Sequence, residues 1–292
     1  MAARTAWLTG WTGEQARHAA TILRQGGNPV ARVYESIGAD FFLAISPGWL
    51  NLGLWQGPGT EDEAETACRR LVHTVAAALP TGGVILDAGN GLGTQDPVIA
   101  EQVRPRRLLA VNITEWQLAA GRDRLRQAAA APVAADAARL PVAGGAVDGI
   151  ISVEAAFHFR SRAEFFAECV RVLRPGGVLT TSDVAVQRWP RTPAEALAGL
   201  TQLRLWGMRA SAVMTAAQIA AAARAAGLVD VQVTLCGAEV IAPAIRLSQA
   251  RLAAPTGAPP GQQATARLLL RQVDLLYRHH LIDYLLLRAT RP

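Results

Sequence analysis

From Val84 onward the chain alternates short apolar runs with capped helical patterns, and this rhythm limits the possible folds more than any other feature. The runs lie at 84–86, 108–111, 132–135, 147–153, 178–182 and 229–235, and a last one, "IDYLLLRAT", comes near the C-terminus. Most are rich in Val, Leu and Ile without strict polar alternation, as in strands covered on both faces. Thr114…Gln117, Ser161…Glu164 and Thr215…Gln218 carry the hydroxyl-x-x-Glu/Gln spacing of a helix start, as do Thr12…Gln15 and Thr60…Glu63 upstream. "LPTGG" at 79–83, "LRPGG" at 173–177 and "AAGL" at 225–228 put Pro or Gly where helices stop. Strand then helix, repeated, predicts an α/β, doubly wound, mostly parallel sheet. About 80 residues precede the first strand and read as helices near 14–25, 28–43 and 61–79. Residues 186–214 and 239–280 interrupt the rhythm. The expected organisation is a helical N-terminal lid segment over 1–80 and a core over 81–292 carrying these two helical inserts.

Composition narrows the class. With 292 residues, 51% of them apolar and 18% charged, the chain can bury a large core and is not a disordered one. No apolar run reaches the length of a membrane span, and the N-terminal residues show no secretion signal. Cys68, Cys169 and Cys236 lie far apart, without a CxxC or Cys/His cluster, and read as buried thiols of a reducing cytoplasm. The net charge is +6, and every basic residue is arginine. These arginines occur mostly singly along helical patterns, which fits solvated faces rather than a nucleic-acid surface. The expected partner is a small molecule, with no nucleic acid, no membrane and room for a homo-oligomer.

The loop after the first run carries the chemistry. In "VILDAGNGLGTQD" (84–96) an acid, Asp87, ends the apolar run, and Gly89, Gly91 and Gly93 follow at alternate positions. In an open parallel sheet the ligand sits beyond the carboxyl ends of the strands. Glycines there let the backbone turn tightly and approach a ligand closely. The spacing is not G-x-G-x-x-G, and no Gly-Lys-Ser/Thr completes a P-loop. An acid opposes a phosphate but suits a ligand with a free ammonium group. S-adenosylmethionine has that group, a sulfonium and no phosphate.

The chain resembles the class I S-adenosylmethionine-dependent methyltransferases of the small-molecule and natural-product branch over roughly residues 30–292. The residues that carry the resemblance are "LDAGNGLG" (86–93), "VNITEWQL" (111–118), "AADAARLPVAGGAVDGIISVEAAFHF" (134–159), "RVLRPGGVL" (171–179) and "DYLLLRAT" (283–290). It implies a Rossmann-like sheet of seven strands with the last antiparallel. It also implies S-adenosyl-L-methionine as cofactor, with Asp87, Gly89 and Gly91 flanking its methionine part. Asn112 and Gln117 would reach the ribose hydroxyls, and Asp136 with Ala137 would meet the adenine. Asn90 stands between the first two glycines, where relatives often have cysteine.

Methyl transfer to oxygen needs an aligned nucleophile, exclusion of water and sometimes a base. Glu154 and His158 follow the fourth run four residues apart, and Asp183 ends the fifth. By similarity to sugar O-methyltransferases, His158 is the expected general base and Asp183 its support; Glu154 is expected to contact cofactor or loop. Tyr34, Trp49, Trp55, Phe157 and Trp189 are the expected walls of an apolar acceptor pocket. His279 and His280 read as structural or solvent-facing, and no metal-ligand spacing is present, so no metal is expected. The reading favours O-methylation of a small, hydrophobic, natural-product-like acceptor. C-methylation of an activated ring or of a prenyl or alkene carbon, with possible cyclisation after it, stays open. So does a cofactor-binding protein without transferase activity.

Overall fold

The computed structural model describes residues 44–254 and 260–292. The helices expected near 14–25 and 28–43, the Thr12…Gln15 pair and Tyr34 lie outside the described residues. In chain order the elements are α1 (Ala64–Ala76), β1 (Val84–Ala88), α2 (Asp96–Val103), β2 (Arg107–Asn112), α3 (Glu115–Ala120), α4 (Arg122–Gln127), β3 (Ala130–Ala134) and β4 (Val147–Val153). Then come a 3₁₀ turn (Ala156–His158), α5 (Arg162–Val172), β5 (Leu173–Val186), α6 (Pro193–Leu205), α7 (Ala216–Ala225), β6 (Val229–Leu235), α8 (Gly237–Ala253), α9 (Pro260–Arg278) and β7 (Ile282–Thr290).

One seven-stranded sheet runs in the order β3-β2-β1-β4-β5-β7-β6. β1 to β5 are mutually parallel, with Leu86 paired to Leu109 on one side and to Ile150 on the other. β7 is antiparallel to both β5 and β6, as the resemblance implies. The continuous apolar runs are explained by burial: all seven residues of β4 are buried. One core layer packs α1, α2 and α8 on one face, around Leu71, Ile85, Ile99 and Ile241. The other packs α5 and α7 on the opposite face, around Leu86, Ile150, Phe166 and Ile219. Strand order reverses between β1 and β4, which opens a crevice at their carboxyl ends.

The helix starts sort by partner. Thr215…Gln218 forms the full reciprocal capping box of α7. Ser161 caps α5 by accepting from Glu164 N, but the Glu164 side chain pairs with Arg160. Thr114 makes no side-chain cap; Gln117 turns to Asn112 instead. Thr60 is not the cap of α1, whose first residue follows Glu63. Thr192…Glu195, which has the same hydroxyl-x-x-Glu spacing, caps α6. Glu195 is also gripped by Arg188 and bonded by His279 Nδ1 at 2.8 Å, so His279 ties α9 to the insert.

The segment 44–60 is sewn onto α8. Arg251 donates to the carbonyls of Ala44 and Ile45, Arg246 to that of Pro58, and Trp55 N to that of Glu239. Ile45, Trp49 and Trp55 enter the same core as α1 and α8. No helix among the described residues is long and apolar enough to cross a membrane.

Candidate active site

The crevice holds a cavity of about 210 Å³. Gly89, Gly91 and Gly93 have φ of 84°, 58° and 72°, the left-handed region that side chains resist. Space matters as much as conformation: a methyl on Gly89 would stand 2.4 Å from Ala155 Cβ, and one on Gly91 2.9 Å from Leu50 Cδ1. The loop is thus a bare-backbone cradle, with Gly48–Asn51 lying against it.

Of the expected cofactor residues, Gly89, Asn90, Gly91, Asn112, Gln117, Asp136 and Ala137 all line this cavity. Asn112 braces it: Nδ2 donates to the carbonyl of Gly91 at 3.1 Å and to Gln117 Oε1 at 2.9 Å, and Oδ1 accepts from Thr114 N. Asp136 Oδ1 accepts from Ala138 N, which fixes the turn after β3. Asp87 does not reach the cavity. It is fully buried behind the loop, and both its oxygens accept from Gln95 Nε2, at 2.8 and 2.6 Å.

Gln95 and Asp96 are functional candidates that sequence reasoning missed. Asp96 opens α2, and Asn90 Nδ2 donates to its Oδ2 at 3.2 Å. Burial, with Asp96 beside it, pushes the Asp87 carboxyl well above the usual carboxylate range. Burial also pushes Asp96 up to about 7. Asn90 Oδ1 and Asp96 Oδ1 are buried acceptors without a hydrogen-bond donor. The sequence signal was "TQDP": Gln-Asp-Pro just past a glycine loop marks a helix start, whose first residues must face the loop.

Glu154 and His158 both line the cavity. Glu154 leaves β4 with φ 51°, and its Oε1 accepts from Leu52 N at 2.7 Å and from the Tyr284 hydroxyl at 2.8 Å. Burial raises its carboxyl to about 7. His158 is pushed the other way, to about 3, because burial penalises the imidazolium. It is neutral across the physiological range and is a poor proton acceptor.

Asp183 does not support His158. Its carboxylate is taken by Arg162, Nε to Oδ2 at 2.7 Å and Nη2 to Oδ1 at 2.9 Å, with both side chains shut off from solvent. Arg162 also donates to the carbonyls of Ala212 and Val184, so it closes β5 onto the 186–214 insert.

The expected acceptor walls separate. Trp49 is buried and lines the cavity. Trp55 is core: it is buried against α8, and its Nε1 donates to the carbonyl of Leu52. Phe157 lies behind His158, with ring centroids 4.1 Å apart, and does not reach the cavity. Trp189 is 66% exposed and stands away from it. Phe159, Arg160 and Arg209 take their places on the wall. Arg209 is the contribution of the 186–214 insert; no described residue of 239–280 lines the cavity.

The bare glycine cradle and the orphaned Asn90 acceptor fit a ligand with a cationic nitrogen. Comparison with known proteins places this region in a family of domains. Residues 86–181 match the family model described as "Methyltransferase domain". The erythromycin 3''-O-methyltransferase of Saccharopolyspora erythraea is 29% identical over 157 residues, 52% of this chain and 51% of that protein. Two further curated relatives are covered over 64% and 57% of their lengths, so the chain spans about half to two thirds of the relatives it matches. Among solved structures, a putative sarcosine dimethylglycine methyltransferase from Galdieria sulphuraria shares the fold. Its TM-score is 0.74 at 19% identity, over 86% of this chain and 97% of that one. A geranyl diphosphate C-methyltransferase from Streptomyces coelicolor A3(2) has a TM-score of 0.64 at 17% identity, over 79% and 82%. Residues 86–181, carried on a sheet whose order reverses at the glycine loop, thus match a methyltransferase domain, and the chain is similar over about half its length to S-adenosylmethionine-dependent methyltransferases.

Proposed function

We propose that this protein transfers a methyl group from S-adenosylmethionine to a small, largely hydrophobic acceptor, with oxygen as the favoured nucleophile. The observation that carries the reading is the single cavity wall shared by the glycine loop and the end of β4. It sets Gly89 and Gly91 beside Glu154, His158, Trp49 and Phe159. Gly89, Asn90 and Gly91 would hold the amino-acid part of the cofactor, Asn112 and Gln117 its ribose side, and Asp136 and Ala137 its base. The cofactor, when bound, supplies the activated methyl carbon.

The rest is done by the chain. Of the two candidate proton acceptors, Glu154 has an affinity near neutrality, where a general base is most effective, and His158 does not. Glu154 is therefore the proposed base, and neutral His158 a hydrogen-bonding and packing group. The described part of the N-terminal segment, with Gly48–Asn51 on the glycine loop, supports reading residues 1–80 as a cover over the site. Arg209 supports the same reading for the 186–214 insert.

The test is a pH–rate profile with an accepted hydroxyl substrate, found by product screening. Turnover should rise through about pH 7. Glu154→Gln should lower it about a hundredfold or more, and His158→Gln far less. The reverse ranking would sink the assignment of the base. A second reading, C-methylation of an alkene or ring, is favoured by Trp49 and Phe159 on the wall, where rings stabilise a developing cation. A methyl carbon found bonded to carbon in the product would establish it.

A further inference from the structure

Beneath the glycine loop four side chains form two hydrogen-bonded pairs: Gln95 donates to Asp87, and Asn90 donates to Asp96. All four are buried, at 0%, 7%, 0% and 3% exposure, and Gln95 and Asn90 also form cavity wall. Burial and the neighbouring Asp96 push the Asp87 carboxyl well up, so Asp87 keeps its proton while Asp96 titrates near neutrality. The protonation of Asp96 sets the orientation of Asn90. When Asp96 is ionised it can only accept, so Asn90 must point its Nδ2 inward, as observed, and its Oδ1 is left without a donor. When Asp96 is protonated it can donate to the amide oxygen, and the amide turns over and shows its NH₂ to the cavity. The first arrangement attracts a cation, and the second repels one.

We propose that Asp96, acting through Asn90, is a proton-linked selector for the cationic nitrogen of the cofactor: the ionised form offers Asn90 Oδ1 to that nitrogen, so binding expels one proton from the Asp87–Asp96 pair. This rests on the cofactor reading above. It makes Asp96 a positioning residue and gives a purpose to the asparagine that replaces the usual cysteine. The N-terminus of α2 helps the ionised state, because its dipole favours negative charge at Asp96.

The other ionisable groups around the pair do not reproduce this behaviour. On α1, Cys68 is buried with its thiol pushed far up, and His73 is bonded to Gln102 of α2. Glu101 of α2 pairs with Arg69 of α1. On α4, Arg124 donates to the carbonyl of Leu92. From β4, Glu154 lines the same cavity and must be separated by experiment.

The experiment is titration calorimetry with S-adenosylhomocysteine between pH 5.5 and 8, in buffers of differing ionisation enthalpy. The wild type should release up to one proton near pH 6.5. Its affinity should rise about tenfold from pH 5.5 to 6.5 and level off above 7.5. Asp96→Asn and Asn90→Ala should each abolish proton release and leave a flat affinity, whereas release through Glu154 would persist in Asn90→Ala. A wild type with no proton release and constant affinity overturns the proposal, as does release that persists in Asn90→Ala. If Asp96→Asn does not fold, the wild-type buffer dependence and Asn90→Ala decide the matter without it. No binding at any pH overturns the cofactor reading itself, which is a different failure.

Discussion

The Tyr284 hydroxyl and Leu52 N both donate to one oxygen of Glu154, at 2.8 and 2.7 Å, so a single carboxylate joins the last strand to the N-terminal segment across the cavity wall. Its affinity is raised to about 7 by burial, and the stability it contributes is therefore present below the ordinary carboxylate range and lost as pH rises through 7. Glu154→Gln keeps an oxygen for both donors without the buried charge. The variant should match the wild type near pH 4 and exceed it at pH 8, by ~3 kcal/mol at most. Urea melts at the two pH values measure this; an equal difference at both would show that the carboxyl is not strained by burial.

Arg162 and Asp183 form a fully buried, two-bond ion pair. Removing one partner leaves the other charge buried and unpaired. Arg162→Met or Asp183→Leu should each cost about 3–5 kcal/mol, and the double variant should recover much of that loss. Additive losses in a double-mutant cycle would contradict the pairing.

The two tryptophans of the N-terminal segment should behave differently. Trp55→Ala opens a core void and should destabilise the protein by about 3–5 kcal/mol, with no selective effect on ligands. Trp49 is also core but touches the cavity, so Trp49→Ala should lower ligand affinity as well as the melting temperature. Trp189, largely exposed, should tolerate Ala within about 0.5 kcal/mol. Thermal melts with and without S-adenosylhomocysteine separate the three.

Gly91→Val places a β-branched side chain at φ 58° against Leu50. It should abolish S-adenosylhomocysteine binding while the protein remains folded by circular dichroism. Affinity equal to wild type would remove the glycine loop from the cofactor site.

Gly199 lies within α6 with open space where a methyl would go. Gly199→Ala should stabilise the protein by about 0.5–1 kcal/mol, since it removes backbone entropy from the unfolded chain without a clash. A lower denaturation midpoint would mean that the insert packs differently.

Much of this molecule is written in local sequence. The apolar runs at 84–86, 147–153 and 178–182 became β1, β4 and β5 because strands buried on both faces need unbroken apolar surface. The glycines at 89, 91 and 93 declared their loop because only a residue without Cβ accepts those angles so close to Ala155 and Leu50. "DYLLLRAT" announced β7 for the same reason as the other strands. Properties set by partners distant in the chain were not legible. Asp183 read as a support for His158 until the fold brought Arg162 to both its oxygens. Trp55 and Trp189 are the same residue type, and packing on α8 made one core while the other stayed in solvent. The affinities of His158, Glu154 and Asp96 moved toward 3, 7 and 7 because desolvation is a property of the assembled interior. Local sequence by itself determined the strands, most of the described helices and the glycine loop, since periodicity and glycine angles act over a few residues. Only the tertiary structure decided which side chains face the cavity and in what charge state, because burial and ion pairing depend on atoms that meet only after the chain has folded.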